Sequence, residues 1–369
     1  MPITVWSYLD ELEAEKEEIN HAINEVLQSG QLILGPKVKN FEEKFAAYCG
    51  TKFGVGVNSG TDAIFLALRA LGVGEGDEVI TVPNTAVPTV SAIVSSGASP
   101  KFVDIDPKTY LMDVNQLEKV ITSKTKCLLV VHLYGQCVDM DRIGELSERH
   151  GLKILEDCAQ AHGATFKGQM AGSFSHVSAF SFYPTKILGG YGDGGMVLTS
   201  DEEYFQKLKR LRFYGMEGKY YSDEHGYNSR LDELHAAILL KKLNHLGDYL
   251  LARRKKAKFY NESLKDLGLG LPQIAPDNDH AFYVYVVKHT KRDRIIEELK
   301  KREIFCNISY PWPIHIMKGY KDLGYKEGDF PNTEKAAKEI FSLPMYPSLT
   351  KGNQIKVIEA LKEVLKNLT

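Results

Sequence analysis

Ser178-Ala179-Phe180-Ser181-Phe182-Tyr183-Pro184-Thr185-Lys186 runs directly into Ile187-Leu188-Gly189-Gly190-Tyr191-Gly192-Asp193-Gly194-Gly195. The first part reads as a buried strand, Val177–Phe182, and Gly195–Thr199 reads as another. Between them one lysine interrupts a long run nearly free of charge, with a glycine loop behind it. That is a poor place for a solubilising lysine. It is where ligands bind in open α/β sheets, just beyond the ends of strands.

Working outward, the region from about Cys49 to Ser200 alternates β-rich runs with helical patterns. Further strands are expected at Gly54–Asn58, Glu78–Val82, Pro100–Asp104, Lys126–Leu133 and Leu152–Glu156. Asp62–Leu71 carries an apolar helical face, and Asp141–His150 is closed by Gly151 at a position suited to a left-handed cap. The pattern predicts an α/β fold, a mostly parallel sheet with flanking helices. After Arg230 follow a long helical region to about Leu267, a strand at His280–Lys288, and helices at Asp293–Arg302, Thr333–Phe341 and Gln354–Leu365. We therefore expect a large domain over residues 1–245 and a smaller C-terminal α+β domain over 246–369.

The 369 residues leave room for both units and a cleft. A hydrophobic content of 43%, a charged content of 25% and a net charge of -2 give no global reason to bind nucleic acid or an anionic membrane. Five cysteines without CxxC spacing suggest neither a disulfide framework nor a metal cluster. No signal peptide is evident in Met1-Pro2-Ile3-Thr4-Val5-Trp6 and the acidic stretch behind it, and no apolar run approaches the ~20 residues of a membrane span. A cytoplasmic protein is expected.

Three segments could carry chemistry. A lysine in a partly desolvated site has its ammonium form disfavoured, so Lys186 could form a Schiff base with an aldehyde. The segment by itself fits a solvent-facing loop lysine equally well. Leu152-Lys153-Ile154-Leu155-Glu156-Asp157 places an acid at the end of an apolar strand. Asp157 could sit against the pyridine nitrogen of pyridoxal phosphate, whose protonated ring is an electron sink, or merely cap the next element. Asn58-Ser59-Gly60-Thr61-Asp62-Ala63 follows a strand and opens a helix, a place to hold phosphate and also an ordinary helix cap.

In this order the segments resemble the DegT/DnrJ/StrS family of sugar aminotransferases. The resemblance extends from Gly35-Pro36-Lys37-Val38 through Asn228-Ser229-Arg230-Leu231-Asp232 and Tyr310-Pro311-Trp312-Pro313-Ile314-His315 to Ser342-Leu343-Pro344. It implies the type I aminotransferase fold and pyridoxal 5'-phosphate as cofactor, with no metal. Lys186 would carry the cofactor and act as acid and base, Asp157 would meet the ring nitrogen, and Gln160 would lie near the phenolic oxygen. Gly60, Thr61 and Ser181 would hold the phosphate, with Asn228 contributed by a second copy in a homodimer with shared active sites. His162, Tyr183, Tyr310 and His315 are candidate substrate contacts. After Asn84-Thr85 the family usually has an aromatic residue that stacks on the ring, and this chain has Ala86.

The resemblance further implies glutamate as donor and a nucleotide-linked keto-sugar as acceptor. Gln160 points to the branch that converts a dTDP-3-oxo-6-deoxyhexose to the dTDP-3-amino-3,6-dideoxyhexose, the alternative being a perosamine-type 4-aminotransferase. Related sugar dehydratases replace the lysine with histidine, which Lys186 argues against. From another class, Asp104-Ile105-Asp106 resembles the DxD metal site of glycosyltransferases, although a run before Pro107 also suits a turn. Arg253-Arg254-Lys255-Lys256 reads as a solvated helix face.

Overall fold

The computed structural model describes residues 2–218 and 220–368. Helices α1 (Leu9–Ser29) and α2 (Pro36–Cys49) precede β1 (Phe53–Val57), α3 (Gly60–Ala70), β2 (Glu78–Thr81), α4 (Val87–Ser95) and β3 (Ser99–Phe102). Next come β4 (Thr125–Val131), α5 (Met140–His150), β5 (Lys153–Asp157), and the short β6 (Thr165–Phe166) and β7 (Gln169–Met170). They are followed by β8 (Val177–Ser181), β9 (Gly195–Thr199), α6 (Glu202–Leu211) and α7 (Glu233–Leu264). The remainder is β10 (Asn278–Asp279), β11 (Tyr285–Lys288), α8 (Arg292–Lys300), α9 (Pro331–Glu339), β12 (Ile340–Leu343) and α10 (Lys351–Lys366).

Seven strands form one sheet in the order β1-β9-β8-β5-β4-β2-β3. β2 pairs in parallel with β3 and β4, β4 with β5, and β5 with β8, while β9 is antiparallel to β1 and β8. Parallel neighbours need crossovers, and α4 supplies the one from β2 to β3 and α5 the one from β4 to β5. Strands covered on both faces are mostly apolar, as in the wholly buried β8 and β9, and the buried Ser178 hydroxyl of β8 donates to the Gly172 carbonyl at 2.8 Å. Gly151 closes α5 in the left-handed region at φ 65°, as its position suggested.

The second part pairs β11 with β12 and packs them with α8 and α10 around Tyr260, Tyr285, Leu299, Phe341 and Leu361. Helix α7 is 32 residues long and serves both cores. Its Leu246 and Leu250 join the first core, and its Ala257, Tyr260 and Leu264 join the second. Residue 245 lies within this single helix. Ile3 packs with the second core and bridges to Ile304.

Two expected elements are shorter. The strand predicted over His280–Lys288 begins at Tyr285, because Phe282 takes φ 51° and cannot continue a pleat. The N–H groups of Ala281 and Tyr283 bond instead to the carbonyls of Gly135 and Tyr134. The helix expected to reach Phe341 ends at Glu339, and Ile340 and Phe341 open β12.

Candidate active site

Lys186 lies in the loop that leaves the carboxyl end of β8. The loop is folded back on itself by Lys186 N–H to Tyr183 O at 2.8 Å and Gly190 N–H to Phe182 O at 2.8 Å. Glycine is required at position 189, where a Cβ would lie 2.4 Å from the Pro184 carbonyl oxygen. The half-buried Lys186 places Nζ 4.8 Å from the Tyr283 ring centroid, and the Tyr283 hydroxyl lies 3.0 Å from Thr185 Oγ1. Tyr283 comes from the segment just before β11.

Asp157 ends β5, one strand away. Its Oδ2 accepts from Thr89 Oγ1 at 2.8 Å and its Oδ1 from Ala159 N–H at 3.1 Å. Thr85 Oγ1 lies 2.9 Å from Thr89 Oγ1, so two hydroxyls back the carboxylate. Burial pushes the Asp157 carboxyl up, while Thr89, the Ala159 N–H and the charge of Lys186 hold it down. Gln160 accepts the Tyr134 N–H at 2.8 Å and donates to the Tyr310 hydroxyl. Tyr134 and Tyr310 sit at φ 61° and 62° with their rings 6.4 Å apart. Left-handed backbone at bulky residues is costly and gathers at functional sites.

The third wall is the start of α3. Ser59 caps the helix by accepting the Asp62 N–H at 3.1 Å. A Cβ at Gly60 would come within 2.6 Å of Ser181 Cβ, and one at Gly195 within 2.2 Å of the Ser59 carbonyl oxygen. Only glycines let β8, β9 and the helix terminus close this tightly, leaving Thr61 and Ser181 beside N–H groups at the positive end of a helix. Ser229 Oγ joins Asn58 N–H at 3.1 Å to Asp62 Oδ2 at 2.7 Å. The neighbouring Asn228 is exposed.

This arrangement fits pyridoxal phosphate on its own geometry. The glycine-lined helix terminus suits the phosphate, the buried Asp157 suits a ring nitrogen that carries a proton, and Lys186 offers an amine on the same side of the sheet. When bound, the cofactor supplies the electron sink. Ala86 is the N-cap residue of α4, one turn before Thr89. Thr89 and Tyr283 were missed in the sequence because a threonine in an apolar helix and a tyrosine in a β-like run carry no signal of a site.

Two expectations are corrected. His162 is completely enclosed, its ring 5.4 Å from that of Phe180 and 5.9 Å from that of Phe182. Burial, helped by the charge of Lys186, pushes its imidazole down to about 3, so it is a neutral residue of the core. His315 is equally buried, bonded to Glu334 at 3.0 Å and packed on Phe330. Of the other two candidates, Tyr183 is exposed and Tyr310 is in the site.

The DxD reading also fails. Asp104 accepts from Asn332 N–H and from the N–H and hydroxyl of Thr333, capping α9, and Asp106 accepts from Lys108 and Thr109 N–H. In the buried group His132, Glu156 and Cys158, the histidine and the glutamate are likewise engaged internally. Val138 N–H donates to His132 Nδ1, whose Nε2 donates to Glu156, and Glu156 also accepts from Gly172 and Phe174 N–H.

The sequence model of the DegT/DnrJ/EryC1/StrS aminotransferase family matches residues 13–362. The chain belongs to that family. This aminotransferase is 53% identical, over the full length of both chains, to a dTDP-3-amino-3,4,6-trideoxy-alpha-D-glucose transaminase of Micromonospora megalomicea subsp. nigra. Its fold matches the crystal structure of S. venezuelae DesV with a TM-score of 0.97 at 42% identity, covering 99% of each chain. It also matches NtdA from Bacillus subtilis, solved with bound cofactor PMP, with a TM-score of 0.89 at 32% identity, covering 96% of this chain and 82% of that one. The protein is a pyridoxal-phosphate-dependent sugar aminotransferase with the type I fold.

Proposed function

We propose that this aminotransferase transfers the amino group of glutamate to C3 of a dTDP-linked 3-keto-6-deoxyhexose. The observation that carries the reading is the convergence of Lys186 Nζ, the buried Asp157 and the Gln160–Tyr310 pair at the carboxyl ends of β5 and β8. Lys186 Nζ takes the proton from the donor's Cα and returns one to the sugar carbon that becomes the amine. Asp157 would hold a positive charge at the cofactor's ring nitrogen, Gln160 would lie near its phenolic oxygen, and Tyr310, bonded to Gln160, would be a substrate contact. The choice of C3 is supported by Gln160 and by the name of the half-identical relative.

We read the active unit as a homodimer in which Asn228 of one copy completes the phosphate site of the other. The exposed position of Asn228 and the exposed Leu32, Ile33 and Val87 support this. Among the described residues no helix is long and apolar enough to cross a membrane, which is compatible with the cytoplasm.

The test is incubation of protein reconstituted with pyridoxal phosphate and glutamate with the dTDP-linked 3-keto and 4-keto 6-deoxyhexoses, the products being located by NMR. An amine at C3 supports the reading, and one at C4 replaces it by the perosamine-type reaction. No amine from either acceptor sinks both.

A further inference from the structure

We propose that Arg253, acting through Tyr283, is a positioning residue for the amine of Lys186. The inference rests on Lys186 being the reacting group. Arg253 is 2% exposed and lies on α7 between Leu250 and Ala257, where the helix passes from one core to the other. Its Nη1 donates to three backbone carbonyls, those of Phe282 at 3.2 Å, Tyr283 at 3.1 Å and Met345 at 3.1 Å.

A buried guanidinium is costly unless its donors are used, and a carboxylate is its usual partner. Here Nη1 goes to main chain while Nε has no hydrogen-bond partner among the described residues, and the counter-charge is the half-buried Glu11 of α1. The Nη1 bonds add carbonyl-side anchors to a turn in which Phe282 takes φ 51° and whose N–H groups are held by His280 Nδ1 and by the Gly135 and Tyr134 carbonyls. That turn presents the Tyr283 ring under Lys186 Nζ at 4.8 Å and ties the Tyr283 hydroxyl to Thr185. A cation over an aromatic face is attracted by the ring quadrupole, so the ring is a seat for the ammonium whenever the lysine is free. The chain of contacts runs from the junction of the two cores to the reacting nitrogen.

The other ionisable groups acting on Lys186 or on Asp157 beside it are Asp157 itself, Tyr310, His162 and His132. Glu11, Lys256 and Tyr283 face Arg253. Of these only Tyr283 is altered by the variants below.

The experiment is competitive acylation of the cofactor-free protein across pH, with labelling of Lys186 and of surface Lys16 read by peptide mass spectrometry. Tyr283→Leu removes the seat and should raise the labelling rate of Lys186 near neutrality about two- to five-fold relative to Lys16. Tyr283→Phe keeps the ring and should track the wild type. Arg253→Met should reproduce Tyr283→Leu. Arg253→Lys, which keeps the charge but cannot reach all three carbonyls, should shift in the same direction and serves if the methionine variant does not fold.

If Arg253→Met or Arg253→Lys lowers the melting temperature yet leaves the Lys186 profile at wild type, the arginine is structural only and the proposal is overturned. An unmoved profile in Tyr283→Leu overturns it as well. Lys186→Ala answers a separate question, since an alanine variant that still bound the cofactor covalently would sink the underlying reading of Lys186.

Discussion

Thr89→Val tests how the Asp157 charge is set. Valine keeps the shape of threonine and deletes one hydroxyl, which here donates at 2.8 Å to a carboxylate that is 5% exposed. A hydrogen bond to a buried charge contributes about 1.5–3 kcal/mol, equivalent to roughly one to two pH units. The sign follows from the environment. Burial already raises the Asp157 carboxyl and Thr89 opposes it, so loss of the hydroxyl raises it further and leaves less carboxylate at neutral pH. The acidic limb of the pH–rate profile with glutamate and a keto-sugar should move upward by about one to two units, turnover on that limb should fall by about ten- to a hundred-fold, and activity should recover in base. Thr89→Ser should retain most of the activity. Stopped-flow or steady-state assays across pH decide the matter. A profile that overlays the wild type, or a loss equal at every pH, would refute the argument, since the first denies the coupling and the second indicates damaged packing.

Gly60→Ala should weaken cofactor binding about five- to a hundred-fold by overpacking against Ser181, and the double variant with Ser181→Gly should regain melting temperature, both measurable by titration and calorimetry. An equimolar mixture of inactive Lys186→Ala and Asn228→Asp chains, unfolded and refolded together, should recover about a quarter of wild-type activity if Asn228 completes the partner's site, and none if it acts within its own chain. His162 and His280 are both pushed down to about 3 by burial. Between the ordinary histidine value and that point the unfolded chain binds a proton that the folded chain does not, so stability must fall with falling pH, by up to about 1.4 kcal/mol per unit for each histidine. Denaturant melts of wild type and His162→Phe from pH 7 to pH 4 should therefore diverge in slope, and parallel lines would remove His162 from the account.

Local pattern and loop chemistry were enough to reveal the sheet and the site's skeleton. The inner strands of the large sheet were legible because strands covered on both faces read as apolar runs, and the edge strand β3 because it lies between a helix and a turn. Lys186, Asp157 and the Gly60 segment stood out because each breaks such a run at its carboxyl end. The N-terminal helix α1 carries Ile19, Ala22 and Val26 at helical spacing, a signal present but weakened by the many charges around it. Strand β12 was absorbed into a helix because Ile340 and Phe341 also continue the periodicity of α9. The histidines misled for a related reason, since a motif position does not say which way a ring faces, and both His162 and His315 face the core.

The amino-acid sequence by itself determined the α/β class, the order of its strands along the chain, and the lysine and acid that a pyridoxal-type reaction needs, because these depend on residues close together in the chain. The tertiary structure alone decided that Thr89 would meet Asp157, that Tyr283 would lie beneath Lys186, and that a buried Arg253 would hold that turn. Those contacts join residues 68, 97 and 30 positions apart, by subtraction of their numbers, and at such distances only the packing of helices on the sheet can choose partners.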